Sequence, residues 1–465
     1  MASAQLSLVR CLTAALLLVS GASAASAQER AAAWPPAELA EKLKAEPKTD
    51  VDKAIKELIT EYEGKIAALN ADEPVVKANI PRLREKLTPF YLEYNQDKKR
   101  YRRDHFTPAE CANRFKADMG FRLGALAAGE DPAATSAGKW QTRVAWIERT
   151  NVMGHYDLIV PKAYEPKKSW PIILSYQDDP NEQEIRKTPY FLMRCVQKGY
   201  PTGLTYVENK TRTYLKDVAR EYNIDPTRVY ATGFSYGGHT DLVVAWRFPH
   251  WFAAIAPVCN DLRDKQTPYV KQLKNVPTLL LHGTGDSFLA TGKVVHKYMK
   301  EAGCPVQWRT YPGGHAPTLP FRQDVTVLTN FFDKHVMNPY PRMVCHIVEH
   351  KRYSRAFWVD AKLTKDTGGM EAIFEVRVKD GNKIEIDANE QVAELDLYLN
   401  DKLIDMSKPV TVVAGQRKLY EGKPTEKLTI KLTDAPDYSR DGGDTLWRQL
   451  AEIRKQAQAA GQGRK

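Results

Sequence analysis

The sequence predicts an α/β fold, with a helical region before it and a small β-sandwich-like module after it. Three observations support this architecture. Between residues 139 and 337, apolar strands alternate with helical segments, which is typical of a sheet of mainly parallel strands. One of these strands runs directly into a helix through a glycine-flanked serine. Beyond residue 341 the helical segments give way to short runs in which apolar and polar residues alternate.

The chain begins with the composition of a secretory signal peptide. Residues 1–27 contain one charge, Arg10, followed by the apolar run Cys11–Val19 and two Ala-Ser-Ala triplets. We expect cleavage after Ala27 and export to the periplasm or beyond, with no integral membrane segment in the mature chain. Loss of Arg10 lowers the formal net charge from +11 to +10. This charge indicates solubility and weak attraction to anionic polymers.

Neither the basic residues nor the cysteines predict a binding site. The basic run at 98–103 has an aspartate on each side and is typical of a solvated helix face, so we expect no nucleic-acid partner. Five cysteines follow residue 27, without the spacing of a metal site. Cys259 falls at the end of one predicted strand and Cys304 just before the start of another. In a parallel sheet they therefore lie on opposite edges, which argues against a bridge between them. The sequence does not choose among the other pairs.

Residues 28–138 are predicted to form the helical region. A loose lead-in rich in Ala, Pro and Lys comes first, and then Thr49 or Asp50 can cap an amphipathic helix. A second amphipathic stretch runs from about Pro81 to Tyr101, and a third helix begins at Thr107, where proline follows in the first turn. Residues 130–138 have the composition of a linker into the next domain.

The glycine-flanked serine is Ser235. The segment from Val229 to Thr232 is a short strand of β-branched and aromatic residues, and an apolar helix is predicted from Gly237 to Trp246. The sequence Gly-Phe-Ser-Tyr-Gly between them therefore lies in the strand-to-helix turn of a nucleophile elbow. Such a tight turn strains the serine backbone and leaves no room for neighbouring side chains. Ser235 is expected to stand exposed at the carboxyl edge of the sheet.

Two further residues follow strands in the same way. Asp286 comes 51 residues after Ser235, in a loop that ends an apolar strand, and His315 follows 29 residues later, after the strand 306–311. Ser, Asp and His in this order, each beyond a strand, predict a catalytic triad. Asp241 and Asp324 remain alternatives for the acid. His239 is expected to line the pocket or balance a charge.

With these residues in place, residues 140–337 resemble the catalytic domain of secreted α/β-hydrolase-fold serine hydrolases. That group includes polyhydroxybutyrate depolymerases, feruloyl and acetylxylan esterases and the prolyl-oligopeptidase group. The motifs that carry the resemblance are Tyr222–Tyr230, the elbow itself, Phe252–Val258, the His-Gly-Thr-Gly-Asp loop that begins at His282, and Tyr-Pro-Gly-Gly-His, which ends at His315. His282 is expected to hold the acid loop by hydrogen bonding rather than to act in catalysis.

The resemblance implies acyl transfer in which His315 activates Ser235 and Asp286 orients His315. The oxyanion would meet the backbone N–H of Tyr236 and one from the loop at Tyr176 and Gln177. In the resembling families this loop usually opens with His-Gly, whereas here it has no glycine. The chemistry requires no metal and no organic cofactor.

The β-sandwich-like module is predicted over residues 342–437, followed by a polar, partly helical tail at 438–465. Trp358, Tyr398 and Tyr420 are candidates for a polymer-binding face, although alternating aromatics are more typical of a sandwich core. Six short alternating runs predict its strands: Val344–Val348, Ala356–Ala361, Ala372–Val378, Lys383–Asp387, Ala393–Leu399 and Leu428–Leu432.

The leading functional hypothesis is a secreted serine hydrolase of carboxylic esters, such as acetyl or feruloyl esters of polysaccharides. Polymeric esters are included among its expected substrates. A serine peptidase of prolyl-oligopeptidase type is the alternative, although the short helical region cannot form the β-propeller that this group carries. A third hypothesis, motivated by the altered oxyanion loop, is a catalytically weak hydrolase-like binding protein. The sequence gives no oligomeric state.

Overall fold

The structure is a computed structural model that describes most of the chain. The predicted signal peptide, most of the basic run 98–103 and Gln177 lie outside the described residues. None of the helices in the described part is both long enough and apolar enough to cross a membrane. The described residues are 34–95, 101, 105–147, 152–176, 182–195, 204–262, 265–315, 324–365, 371–433 and 446–462.

Within the described residues, four α-helices precede the main sheet. Thr49 caps the second, because its hydroxyl accepts a hydrogen bond from the Asp52 N–H at 3.1 Å. Thr107 and Glu110 form a reciprocal capping box at the start of the fourth. The four helices are α1 (Ala37–Lys44), α2 (Asp50–Ala67), α3 (Pro74–Glu93) and α4 (Pro108–Ala127).

The main sheet has eight strands in the order β1-β2-β4-β3-β5-β6-β7-β8. The β1/β2 and β2/β4 pairs are antiparallel and every other pair is parallel. The strands are β1 (Trp140–Ile147), β2 (Val152–Ile159), β3 (Trp170–Tyr176), β4 (Phe191–Arg194), β5 (Ile224–Phe234), β6 (Ala254–Val258), β7 (Thr278–Gly285) and β8 (Val306–Gly314). This mixed sheet with helices between its parallel strands has the α/β-hydrolase fold, so the predicted fold class is confirmed.

Helices connect these strands. The residues of β3 are all buried, as expected for a central strand covered on both faces. A single residue, Ser235, separates the end of β5 from the start of helix α7, so the elbow lies between them. The helices of this part are α5 (Glu182–Ile185), α6 (Leu204–Ala219), α7 (Tyr236–Arg247), α8 (Leu289–Glu301) and α9 (Thr326–Phe332).

Two further sheets form the β-sandwich-like module. One has the order β10-β11-β14-β17 and the other β16-β15-β13-β12-β9. Alternate residues of β12 are buried, which matches the predicted pattern of a two-layer sandwich. The strands are β9 (Met343–Val348), β10 (Arg355–Ala356), β11 (Val359–Leu363), β12 (Ala372–Lys379), β13 (Lys383–Ala388), β14 (Val392–Tyr398), β15 (Val410–Ala414), β16 (Arg417–Gly422) and β17 (Lys427–Lys431).

Two of the three aromatic candidates for a polymer-binding face, Trp358 and Tyr398, pack against other parts of the protein. Trp358 is completely buried, and its indole N–H donates to the Pro341 carbonyl at 2.7 Å. The guanidinium groups of Arg355 and Arg448 lie 4.2 and 5.2 Å from the centre of the Tyr398 ring. Trp358 therefore belongs to the sandwich core and offers no platform to a ligand.

The end of the chain contributes to the core of the main domain. Residues Leu446–Gln462 form helix α10, within the segment expected to be a polar, partly helical tail. Its Leu446 and Leu450 are buried in the same apolar cluster as the main sheet. No disulfide joins the five cysteines of the described residues.

A buried cluster of charges joins the N-terminal helices to the main sheet. Asp118 accepts a hydrogen bond from Arg122 at 2.6 Å and lies 3.0 Å from the Lys86 ammonium. Glu221 accepts hydrogen bonds from Arg122 and Arg143. This helical-interface cluster comprises Arg82, Lys86, Asp118, Arg122, Arg143, Asp217 and Glu221.

Candidate active site

Ser235 occupies the sharp turn between β5 and α7. Its φ of 57° and ψ of −116° are unusual for a residue with a side chain and match the strain predicted for an elbow. A Cβ atom on Gly233 would lie 2.4 Å from the Tyr176 carbonyl oxygen and 2.5 Å from the Gly237 carbonyl carbon. The turn can therefore form only with glycine at position 233.

The structure brings Ser235, His315 and Asp286 together in a hydrogen-bonded row. His315 Nε2 lies 2.9 Å from Ser235 Oγ, and His315 Nδ1 lies 2.9 Å from Asp286 Oδ1. Because a carboxylate only accepts, the imidazole donates from Nδ1, which leaves Nε2 to accept the serine proton. These residues follow the ends of β5, β8 and β7, so the parallel sheet brings together side chains that are far apart in the sequence.

Asp286 is held at both of its oxygens. Oδ1 also accepts the Phe288 backbone N–H at 2.8 Å, and Oδ2 lies 3.2 Å from His282 Nδ1. Burial would raise the pKa of Asp286, but hydrogen bonds from the Cys259 thiol, the Phe288 N–H and His315 outweigh it and lower the pKa below its usual value. The carboxylate therefore stays ionised at neutral pH and can stabilise an imidazolium at His315.

The alternative acids lie elsewhere. Asp241 is completely buried in α7, and neither of its oxygens has a hydrogen-bond partner among the described residues. Asp324 accepts the backbone N–H of Thr326 at 2.9 Å, beside the start of α9. Asp286 is the carboxylate that contacts His315.

The residues predicted for the oxyanion hole are only partly described. Tyr236 is the first residue of α7, and the N-terminus of a helix is an electropositive position that favours an anion. Tyr176 ends β3, with its hydroxyl 2.7 Å from that of Thr211, and Gln177 lies outside the described residues. The oxyanion role of all three stays a prediction.

His239 lies close to a charge, as one of its two sequence-based interpretations predicted. Its Nδ1 is 3.4 Å from Asp261 Oδ1, and its ring stacks on Tyr236 with the ring centres 5.5 Å apart. This contact joins the first turn of α7 to the loop after β6.

Sequence reasoning missed two aromatic neighbours of His315. The ring centres of Phe234 and Phe288 lie 4.7 and 5.0 Å from that of the imidazole. Both phenylalanines directly adjoin predicted site segments, one beside Ser235 and the other two residues after Asp286. Their position next to the predicted residues is the sequence signal that could have identified them.

Cys259 was also missed as a neighbour of the acid. Cys259 directly follows β6 and has a positive φ of 48°. Its sulfur lies 2.9 Å from the Tyr311 hydroxyl. Burial raises the pKa of the Cys259 thiol to about 12, so it stays protonated. Cys259, His282 and Asp286 have potential metal-binding atoms within 4.8 Å of one another. The hydrogen bonds that join them account for this closeness.

Comparisons with known proteins cover only part of the chain. No family model matches the sequence. A 75-residue stretch, 16% of this chain, is 33% identical to the "Putative esterase NocK" of Nocardia uniformis subsp. tsuyamanensis. The match spans only 22% of the length of that protein.

Solved structures that align with the chain include a ferulic acid esterase and the acylaminoacyl peptidase of Pyrococcus horikoshii. The first is 15% identical with a TM-score of 0.35, over 42% of this chain and 96% of the esterase. The second is 13% identical with a TM-score of 0.37, over 43% of this chain and 42% of the peptidase. A thermostable esterase is 18% identical with a TM-score of 0.35, over 43% of this chain and 64% of that esterase.

Proposed function

We propose that this protein is an exported serine hydrolase that cleaves carboxylic esters through an acyl-enzyme. The observation that carries the proposal is the row of hydrogen bonds from Ser235 through His315 to Asp286, with the serine in an elbow. A serine hydroxyl is a weak nucleophile at neutral pH, so an adjacent base aligned by a carboxylate is the arrangement that activates it.

In the proposed reaction, Ser235 Oγ attacks the ester carbonyl carbon while His315 Nε2 takes the hydroxyl proton. Asp286 stabilises the imidazolium that results. Collapse of the tetrahedral intermediate breaks the bond to the alcohol oxygen, which leaves with the proton from His315. Water then attacks the acyl-enzyme, giving its proton to His315, and the carboxylic acid departs as Ser235 recovers its proton.

The proposed oxyanion site is the backbone N–H of Tyr236, supported by its place at the electropositive start of α7. A second N–H from the loop after Tyr176 would complete it. The proposed substrates are acetyl or feruloyl esters of polysaccharides, or similar extracellular esters. Export is proposed from the composition of residues 1–27.

The test is turnover of acetyl, feruloyl and short-chain nitrophenyl esters by the mature protein, beside the Ser235→Ala variant. We expect the wild type to hydrolyse at least one ester class and the variant to lose at least about 10³-fold in kcat. Cleavage of proline-containing peptides without ester turnover would instead identify a peptidase. Folded wild-type protein that turns over neither class would contradict the proposal and favour the binding hypothesis.

A further inference from the structure

We propose that His282 is a positioning residue that holds the second oxygen of Asp286 through a neutral Nδ1–H. This inference rests on the proposed function, because it concerns the acid of the same triad. His282 Nδ1 lies 3.2 Å from Asp286 Oδ2, the oxygen that does not face His315. The carboxylate is therefore placed between two imidazoles, one on each oxygen.

The contact on the other side of His282 fixes its proton on Nδ1. Nε2 lies 3.0 Å from the side-chain amide nitrogen of Asn260, which can only donate. Nε2 must then accept, so Nδ1 carries the proton and donates to Asp286. Asn260 and His282 are both completely buried, so water does not compete for these contacts.

The slot around His282 is shaped for an imidazole. The Trp308 ring is nearly parallel to it, at 16°, with the ring centres 5.1 Å apart. On the side of α8, a Cβ atom added to Gly292 would lie 2.2 Å from His282 Nε2. Helix α8 can approach this closely only because position 292 has no side chain.

A neutral donor has a specific consequence at this site. Burial lowers the pKa of His282, although Asp286 acts in the opposite direction. The groups that face His282 and Asp286 are Cys259 from the end of β6, Tyr311 from β8 and His315 after it, with His296 of α8 beyond Trp308. None of the donors to Asp286 other than His315 becomes a cation in turnover, so its negative charge remains available to His315.

Two isosteric variants separate this role from simple packing. In His282→Asn the amide nitrogen can occupy the position of Nδ1 and keep the donor to Asp286. In His282→Gln the amide reaches the position of Nε2, so the slot stays polar but the donor to Asp286 is lost. His346→Leu is a control, because His346 is a buried histidine of β9 whose Nε2 lies 2.5 Å from the Tyr353 carbonyl oxygen.

The readout is the rate at which a fluorophosphonate modifies Ser235 as a function of pH, which requires no knowledge of the substrate. We expect His282→Gln to react about 10- to 100-fold more slowly than the wild type, as is typical of losing a hydrogen bond to a charged group. Its acidic limb should also move to higher pH, because a carboxylate with fewer donors binds the imidazolium proton more tightly. His282→Asn and His346→Leu should retain the wild-type rate and profile.

Equal rates and profiles for the Asn and Gln variants would overturn the inference while leaving the proposed function intact. Failure of folded wild-type protein to react would instead overturn the proposed function. A second measurement needs no variant: the ¹⁵N NMR spectrum of the histidines at neutral pH. We expect His282 to be neutral with its proton on Nδ1, and a proton on Nε2 or a cationic ring would contradict the assignment.

Discussion

The protein keeps buried carboxylates ionised in two different ways. In the helical-interface cluster, Asp118 meets the full positive charges of Lys86 and Arg122. At the candidate active site, Asp286 instead meets an N–H, a thiol and two histidines. In both places burial would raise the carboxylate pKa, and in both the neighbouring groups lower it below its usual value.

The difference suits the charges of the helical-interface cluster to a structural role and the charge of Asp286 to a chemical one. Full cations pair with the carboxylates of the helical-interface cluster, so these charges join two parts of the chain. Neutral donors stabilise the Asp286 anion without cancelling its charge. Asp286 can therefore act on a proton that arrives at His315.

The largest effect is expected from Asp286→Asn. An amide in place of the carboxylate can donate to His315 Nδ1 and would favour the wrong tautomer, so kcat should fall by about 10⁴-fold. The free energy of unfolding should change little, since the other contacts of position 286 are with neutral groups. Steady-state kinetics and urea unfolding measure the two effects.

Asp324→Asn is the matched control for this change, because Asp324 is a carboxylate that caps a backbone turn away from His315. Its kcat should equal that of the wild type. An Asp286→Asn enzyme with near-normal kcat would assign the acid to another residue.

The reverse pattern is expected from Asp118→Asn. This change removes the carboxylate that Lys86 and Arg122 share, and breaking a buried ion pair costs about 3–5 kcal/mol of unfolding free energy. The folded fraction should keep its rate of reaction with a fluorophosphonate. Urea unfolding measures the loss.

Glu61→Gln is the matched control, since Glu61 and Lys65 form an exposed pair at 2.6 Å on α2. Its unfolding midpoint should not move. If Asp118→Asn and Glu61→Gln have equal midpoints, the helical-interface cluster does not stabilise the fold as described.

A smaller, pH-dependent effect is expected from Asp241→Asn. Burial alone raises the pKa of Asp241 well above its usual value, because no cation or donor among the described residues offsets it. The folded state then keeps a proton that the unfolded state loses above about pH 4, so wild-type stability should fall as pH rises toward the folded pKa.

The Asn variant lacks this titration. It should match the wild type at pH 4 and exceed its free energy of unfolding by about 1–3 kcal/mol at pH 8. Urea unfolding at both pH values measures the difference. A gain that does not depend on pH would show that Asp241 is already ionised in the folded protein.

The predictable parts of the site are those encoded by local sequence. Gly233 and Ser235 lie in one turn, and their pattern follows directly from the backbone strain of that turn. Asp286 and His315 could be predicted because each follows a predicted strand, and parallel strands end at the same edge. The helical-interface cluster has no such signal, since Arg122 and Glu221 are 99 residues apart.

Some element boundaries also required tertiary context. The second amphipathic stretch was expected to run from about Pro81 to Tyr101, but α3 begins at Pro74, continues through Pro81 and Pro89 and ends at Glu93. Proline disfavours a helix interior by removing a hydrogen bond, so the sequence favoured a later start, and packing of the apolar face of α3 overrides that preference. The predicted run Ala356–Ala361 is likewise divided between β10 and β11 by a turn at Phe357, whose φ is 52°.

The proposed function requires Ser235 to be an activated nucleophile. Its most direct test is intact-mass analysis of the mature protein after exposure to a fluorophosphonate, beside the Ser235→Ala variant. We expect a single adduct on the wild type and none on the variant. Folded wild-type protein without an adduct, or a variant that is still modified, would contradict it.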